Sequence, residues 1–546
     1  MGTPRCPVCH QYTDTLLRHF QGGGEEQVVT KLRSRHPEWS EPLGLCERCL
    51  YLNEFDTVEE HFSSLAQGTL FRLRVNNAFA LLPTPLRLNA DPRFKGRGVT
   101  IVFLDSGFYR HPDLVRPTNR IKAIVDVTDE KKGASHFAQV HTESWHGTMT
   151  TVASAGNGFL SRGLYRGIAS EAEVVLIKVM DTRTKHINTE NIARGIRWAR
   201  EHRKQYDIRV ISISVGDDEP SPLTDSPVDQ EAEQAVREGI IVVAAVGNNP
   251  DRPIVPPASS PSVITVGGLD DRNELHEQHR TMYRSTFGKT VDGNPKPELI
   301  APAIWVAGPI LPKTDQYAES KALFELLKAT PRTVEKQFET KKKMLPTAPG
   351  ALLRGDYKQW LRDRILEMKY IAPYYKHVDG TSFAAPIVSS IIAQMLEAMP
   401  ELTPAHVKQI LTETAEPLKR VPNEQQGFGV PNPRVAVERA LRQRHINKEP
   451  GVYFADGRIY FIYNNSEPRS VSLAGDFNGW DESKNELLES EPGMWSCWIR
   501  KPDSGTYRYK FVIDGRVWTE DPANTDKEPD GFGGWNSKVN VHSAPG

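Results

Sequence analysis

Five short apolar runs, at 99–104, 174–180, 210–215, 240–246 and 263–266, recur through the middle of the chain. Each has the length of a strand buried on both faces and is too short for a buried helix. Between them the spacing becomes helical. Ile192, Ile196 and Ala199 share one face after Asn188, a residue suited to cap a helix start, and a second helix over 228–238 meets a stop at Gly239. This alternation predicts an α/β fold, a doubly wound and mostly parallel sheet covered by helices on both faces. Residues 311–370 break the rhythm and predict charged helices, with 13 Lys or Arg against 8 Asp or Glu. We read them as an insertion, either solvated surface helices or a lid or docking element. From about residue 450 the period falls to two: Val471 and Leu473 alternate with polar neighbours, as do Tyr507, Tyr509, Phe511 and Ile513 before a turn at Asp514-Gly515. A C-terminal β-sandwich of immunoglobulin-like type is expected there.

These changes of texture divide the chain into an N-terminal module (1–52), a connector or inhibitory extension (53–92), the α/β domain (93–446) and the sandwich (450–546). A length of 546 residues accommodates three or four domains. Pro83 and Pro85 mark 82–86 as extended, because proline disfavours helix before it. A net charge of −1 offers no attraction to nucleic acid or an anionic membrane, and Lys341-Lys342-Lys343, without interleaved aromatics, does not alter that. The most continuous apolar run, 240–246, is far short of the ~18 residues a spanning helix needs, and 1–10 lack the apolar core of a secretory signal. We expect a cytoplasmic protein with no nucleic-acid or membrane partner.

Four of the five cysteines form two Cys-x-x-Cys turns, Cys6/Cys9 and Cys46/Cys49. Each turn presents two thiolates to one side of an ion, so the pair completes the tetrahedral shell of a structural Zn²⁺ with no position left for water or substrate. Disulfides or a redox-active pair are the alternatives; the first is disfavoured in a reducing compartment, the second by the absence of a surrounding βαβ pattern. His10, His19 and His36 are reserve ligands. Cys497 alternates with Trp495 and Ile499 on an inward face and reads as a small buried hydrophobe.

Nucleophilic chemistry clusters where the parallel sheet would display it. Ile101-Val-Phe-Leu-Asp105 is an apolar strand ending in a carboxylate; His146-Gly147-Thr148 opens a run of small residues; Gly380-Thr381-Ser382 begins an apolar helix. A serine hydroxyl needs a base, and the base needs a third group to set its tautomer, which makes Ser382 the nucleophile, His146 the base and Asp105 the orienting acid. Pro386 fits a first helical turn, where no N–H donor is needed. Asn248, closing another buried strand, would join the Ser382 backbone N–H in an oxyanion hole.

Leu-Asp-Ser-Gly with His-Pro-Asp-Leu, then His-Gly-Thr, Ala-Val-Gly-Asn and Gly-Thr-Ser-Phe-Ala-Ala-Pro, in that order, resemble the subtilisin-like serine proteases over about 91–444. The resemblance implies a subtilisin-like sheet, a peptide-hydrolysing acyl-enzyme mechanism and protein or peptide substrates. It makes Ser214, Val215 and Gly216 the substrate strand and puts a side-chain pocket near Ala245, Val246 and Gly247. Met149 stands where the family usually has His, and Phe383 where Met is common. The missing signal and inhibitory prodomain resemble intracellular members. Residues 81–88 would then be either a removable block across the substrate strand or an ordinary linker. A catalytically inactive scaffold of the same fold is the competing reading. Ca²⁺ is possible but not readable from the residues.

Val471-Ser-Leu-Ala-Gly-Asp-Phe-Asn-Gly-Trp480, with Tyr507 through Gly515, resembles the glycogen-binding module of AMP-activated protein kinase β subunits. That implies a glycogen-like α-glucan or a protein as partner. Trp480 and Trp518 would be sugar platforms, with Lys510, Phe532 and Asn536 completing the contacts; core tryptophans are the alternative. A glucan-metabolising enzyme is disfavoured, since no catalytic barrel accompanies the sandwich.

Overall fold

The predicted apolar runs become strands of one sheet. The computed structural model describes residues 4–13, 16–18, 25–46, 49, 81–129, 133, 135–330, 332–345, 357–443, 449–455, 458–491 and 493–542. It divides into two compact units, 1–400 with 411–437 and 401–410 with 438–546.

In the first unit, α1 (Glu25–Arg35) buries Val29 and Leu32 beside Trp39, Leu45 and the cysteines. Among the described residues this is a small core, of the size that a metal or disulfide commonly supports. Of the 53–92 segment, 53–80 lie outside the described residues. The remainder departs from the expected extended connector: Thr84–Arg87 is one helical turn, with Pro83 before it and Pro85 in its first turn, where a missing N–H costs nothing. Leu81, Leu82, Thr84, Arg87 and Leu88 are buried. Leu82 N–H donates to Asn273 Oδ1 (2.8 Å), the Arg87 guanidinium pairs with Asp271, and Arg87 Nη2 donates to the Trp305 carbonyl (2.6 Å). None of these partners is Ser214, Val215 or Gly216.

The sheet comprises β1 (Thr100–Asp105), β2 (Ile121–Asp126), β3 (Glu173–Lys178), β4 (Ile208–Ile213), β5 (Ile241–Ala245), β6 (Ile264–Asp270) and β7 (Leu299–Pro302), in the order β7-β6-β5-β4-β1-β3-β2 with these neighbours parallel, and a short strand, Thr281–Met282, adds antiparallel to β6. Every residue of β1 is buried. Chain order reverses beside β1, which opens a crevice at the C-terminal ends of β1 and β4. The helices α2 (Ser144–Ala155), α3 (Thr189–Glu201) and α4 (Pro227–Arg237) connect these strands. Asn188 caps α3 through the Asn191 N–H, and Ile192, Ile196 and Ala199 are fully buried with Val102, Leu104 and Ile213.

Strands β8 (Val306–Pro309), β9 (Tyr370–Ala372) and β10 (Tyr375–Val378) form a separate antiparallel sheet in the order β8-β10-β9. The predicted insertion supplies α5 (Asp315–Leu327), α6 (Val334–Lys341) and α7 (Tyr357–Glu367). These are more than solvated helices, for Leu323, Phe324, Phe338, Leu361, Ile365 and Tyr370 make a core of their own. The α/β chain then enters α8 (Thr381–Ala398) through Gly380, whose φ of +131° is open to glycine alone. Among the described residues α8 is the one helix long and apolar enough to cross a membrane, and 89% of it is buried inside the protein.

In the second unit, nine strands form an antiparallel array: β11 (Gly451–Ala455), β12 (Arg458–Asn464), β13 (Val471–Gly475), β14 (Glu486–Glu491), β15 (Met494–Arg500), β16 (Gly505–Ile513), β17 (Val517–Thr519), β18 (Lys527–Pro529) and β19 (Trp535–Val541). Their order is β11-β12-β15-β14-β13-β16-β19-β18, with β17 on β16. The period-two residues Val471, Leu473, Tyr509 and Phe511 are all buried in one core with Trp495, Cys497 and Ile499. Burial raises the Cys497 thiol pKa far above its ordinary value, which disfavours the thiolate that reacts.

Candidate active site

The carboxylate of Asp105, at the C-terminal end of β1, is 1% exposed and takes three hydrogen bonds. Oδ1 accepts from Ser106 N–H (2.6 Å) and from His146 Nδ1–H (2.7 Å), and Oδ2 accepts from Thr150 Oγ1–H (3.1 Å). A carboxylate only accepts, so His146 carries its proton on Nδ1 and presents Nε2 as a base. Burial opposes a charge on His146, but Asp105's charge and hydrogen bond outweigh it and raise the imidazole above its ordinary range. The small residue between strand and helix is essential. A Cβ on Gly147 would lie 2.4 Å from the Gly107 carbonyl and 2.9 Å from Asp105 Cβ, so any side chain there would push α2 off β1.

His146, Ser382 and Asn248 line one cavity of about 590 Å³. Asn248 is locked by its oxygen, since Oδ1 accepts from Thr381 N–H (2.7 Å) and Thr381 Oγ1–H (3.0 Å), which leaves its NH₂ free to donate. Ser382 is the second residue of α8. Its backbone N–H therefore has no preceding helical carbonyl. Pro386 is not in the first turn as expected but inside the helix. It cannot bond the Ser382 carbonyl four residues back, and Ser214 Oγ–H donates to that carbonyl instead (2.8 Å). Ser214, with Val215 and Gly216, thus runs directly beside the serine turn. Neither these residues nor Ala245, Val246 and Gly247 border the cavity.

The cavity has a wall absent from the sequence reading. Trp145 and Met149 of α2 contribute, but so do Gln316 of α5 and Lys369, Lys376, His377 and Asp379 around β10. No motif marks these residues; Gln316 and Lys369 come from the insertion, and Lys376, His377 and Asp379 from β10 and its end.

The four cysteines of the N-terminal module converge as well. Their Sγ atoms lie within 4.8 Å of one another, with Cys6–Cys49 at 3.9 Å and Cys9–Cys46 at 3.7 Å. Disulfide sulfurs sit at ~2.05 Å, whereas the edge of a tetrahedron of thiolates ~2.3 Å from a zinc ion is about 3.8 Å. Backbone N–H groups of Cys46 and Cys49 donate to Cys6 and Cys46 sulfurs at 3.5 and 3.3 Å, as thiolate ligands favour. The residues fit a metal. His10 and His36 are not among the converging ligands, and His19 lies outside the described residues.

On the C-terminal unit, Trp480 and Trp518 stack with ring centroids 6.4 Å apart at 29°. Phe532 is 97% exposed, and Asn536 is buried on β19. Lys510 is on the face opposite Tyr509 and Phe511, as the alternation implies, yet it is not free: its ammonium pairs with Asp530 Oδ2 at 2.6 Å. Asp530 Oδ1 in turn accepts from the N–H groups of Phe532 (2.7 Å) and Gly534 (2.9 Å), so Lys510 anchors the loop that displays Phe532.

Residues 96–429 match the Subtilase family, and 459–545 match the glycogen recognition site of AMP-activated protein kinase. The chain is 28% identical over 324 residues to serine protease AprX of Bacillus subtilis (strain 168), covering 58% of this chain and 61% of AprX. It is 30% identical over 189 residues to the major intracellular serine protease of the same organism, covering 34% of this chain and 54% of that one. The chain therefore spans less than two thirds of the relatives' length. The crystal structure of fervidolysin from Fervidobacterium pennivorans, a keratinolytic enzyme related to subtilisin, aligns at a TM-score of 0.46 and 16% identity, covering 79% of this chain and 55% of that one.

Proposed function

The chain belongs to the subtilase family of serine proteases, and from that premise we propose that it hydrolyses peptide bonds through Ser382, His146 and Asp105. The observation that carries this reading is the 2.7 Å bond that sets the His146 tautomer at the same cavity that Ser382 and Asn248 line. His146 Nε2 removes the Ser382 hydroxyl proton as Oγ attacks the carbonyl carbon, and Asp105 stabilises the imidazolium that forms. The Asn248 NH₂ and Ser382 backbone N–H receive the developing oxyanion. The imidazolium then returns the proton to the leaving amine, and water resolves the acyl-enzyme by the same route. Substrate main chain pairs along 214–216, with a side chain directed toward 245–247.

Zn²⁺ is the metal that four thiolates favour, and Cys6, Cys9, Cys46 and Cys49 would hold it as a crosslink for the module. One zinc per chain, lost in Cys46→Ser, is the expected result by elemental analysis. We place the protein in the cytoplasm, where unbridged cysteines persist. The C-terminal unit would bring the protease to an α-glucan through Trp480, Trp518 and Phe532.

Labelling with a fluorophosphonate probe tests the chemistry. Wild type should label, and Ser382→Ala should not. Folded wild type that fails to label would instead be an inactive scaffold.

A further inference from the structure

The cavity that His146 and Ser382 share has a cationic wall. Lys369 follows α7, and Lys376 lies on β10; both border the cavity with Gln316 and with Asp379, the one carboxylate among its lining residues. The register pairs Tyr370 with Lys376, and His377 N–H donates to the Lys369 carbonyl (2.7 Å), so one hairpin brings the two lysines close together. His377 adds no charge. Burial, with help from Lys369, pushes its imidazole down to about 4, and its Nε2 accepts from Trp305 N–H at 2.8 Å. Lys369 has Asp379 at 3.7 Å, both well exposed. Lys376 meets only Gln316 Oε1 at 3.4 Å and, among the described residues, has no carboxylate within ion-pair reach. Burial, then repulsion from Lys369, lowers the Lys376 pKa, as expected of a cation short of a counter-charge.

The chemistry identifies which part of a substrate enters. The leaving amine departs toward His146, which must protonate it. The cavity is bordered by His146, Trp145 and Met149 of α2 and by none of Ser214, Val215, Gly216, Ala245, Val246 and Gly247. It therefore faces the peptide on the C-terminal side of the scissile bond, and about 590 Å³ falls within the size range of small-ligand pockets.

We propose that this leaving-group side is a carboxylate site, in which Lys376, with Lys369 beside it, binds an anionic group on the peptide segment that follows the scissile bond. This rests on the protease reading above. The carboxylate has two sources, an Asp or Glu side chain or the free C-terminus of a short leaving segment, and the substrates can separate them.

Peptides identical up to the scissile bond are compared as ratios of kcat/KM: Glu against Gln at each of the first two positions after the bond, and free acid against amide at a chain end two residues beyond it. Wild type should prefer the carboxylate about tenfold or more in at least one pair, the size of a charge-assisted hydrogen bond. The pair that shows the preference names the source. Lys376→Gln should bring that ratio toward one, Lys376→Glu should invert it, and Lys369→Gln should lower it by less. A ratio taken within one variant is not imitated by lost stability. Ratios near one for every pair in wild type, or a preference kept in both Lys376→Gln and Lys369→Gln, would overturn the carboxylate site alone. Folded wild type that cleaves no peptide would overturn the protease reading and this site with it.

Discussion

Asp105 accepts three hydrogen bonds at 1% exposure, while Phe532 in the C-terminal unit offers its ring to solvent at 97% exposure. Around Ser382 the polar groups are wired before any substrate arrives: Asn248 is held by Thr381, the serine carbonyl by Ser214, the imidazole by Asp105. On the other unit the supports are wired, Trp480 to Asp476 and Lys510 to Asp530, while Trp518 and Phe532 stand exposed. Charge that develops during a reaction needs donors fixed in advance, whereas a flat ring needs only access.

Asp105→Asn should keep the fold yet reduce kcat by about 10⁴, since the amide permits the wrong imidazole tautomer; a loss under tenfold would mean that the bond is not used. Asn248→Ala should cost about 10²–10³ in kcat with little change in KM, read from steady-state kinetics. On the open side, Trp518→Ala should weaken binding to soluble amylose about tenfold, measured by calorimetry, and leave peptide turnover unaltered. The smallest effect is in pH. The base form of His146 is the active one, and its pKa is raised, so kcat/KM should rise with pH through a midpoint above the ordinary imidazole value of ~6.5. A midpoint at or below that value would show that burial, not Asp105, prevails in solution.

Much of this arrangement is legible in the residues. Ile192, Ile196 and Ala199 repeat at the helical period because they face one sheet, and β1, β3 and β5 are largely apolar because both faces are covered. Asp105, His146, Asn248 and Ser382 stand in recognisable motifs at strand and helix ends. What escapes is pairing between distant residues. Arg87 finds Asp271 across 184 positions, and nothing near either one announces the other. Lys510 reads as outward, but the loop carrying Asp530 folds back over it and leaves its side chain only 11% exposed. Pro386 looks like a first-turn residue only if the helix start is misjudged. The cationic wall escapes for a similar reason: a helical insertion shows its charge in sequence, but not where it closes.

Arg87 and Asp271 are both almost fully enclosed, with side-chain exposures of 0% and 2%. A recombinant fragment starting at residue 93 would therefore strand an anion in the interior, at about 3–5 kcal/mol, against a stability that for most domains totals only ~5–15 kcal/mol. Cleavage ahead of Leu81 carries no such cost: residues 81–92 would stay behind as an inlay, held by the protein after the peptide link to the N-terminal module had gone.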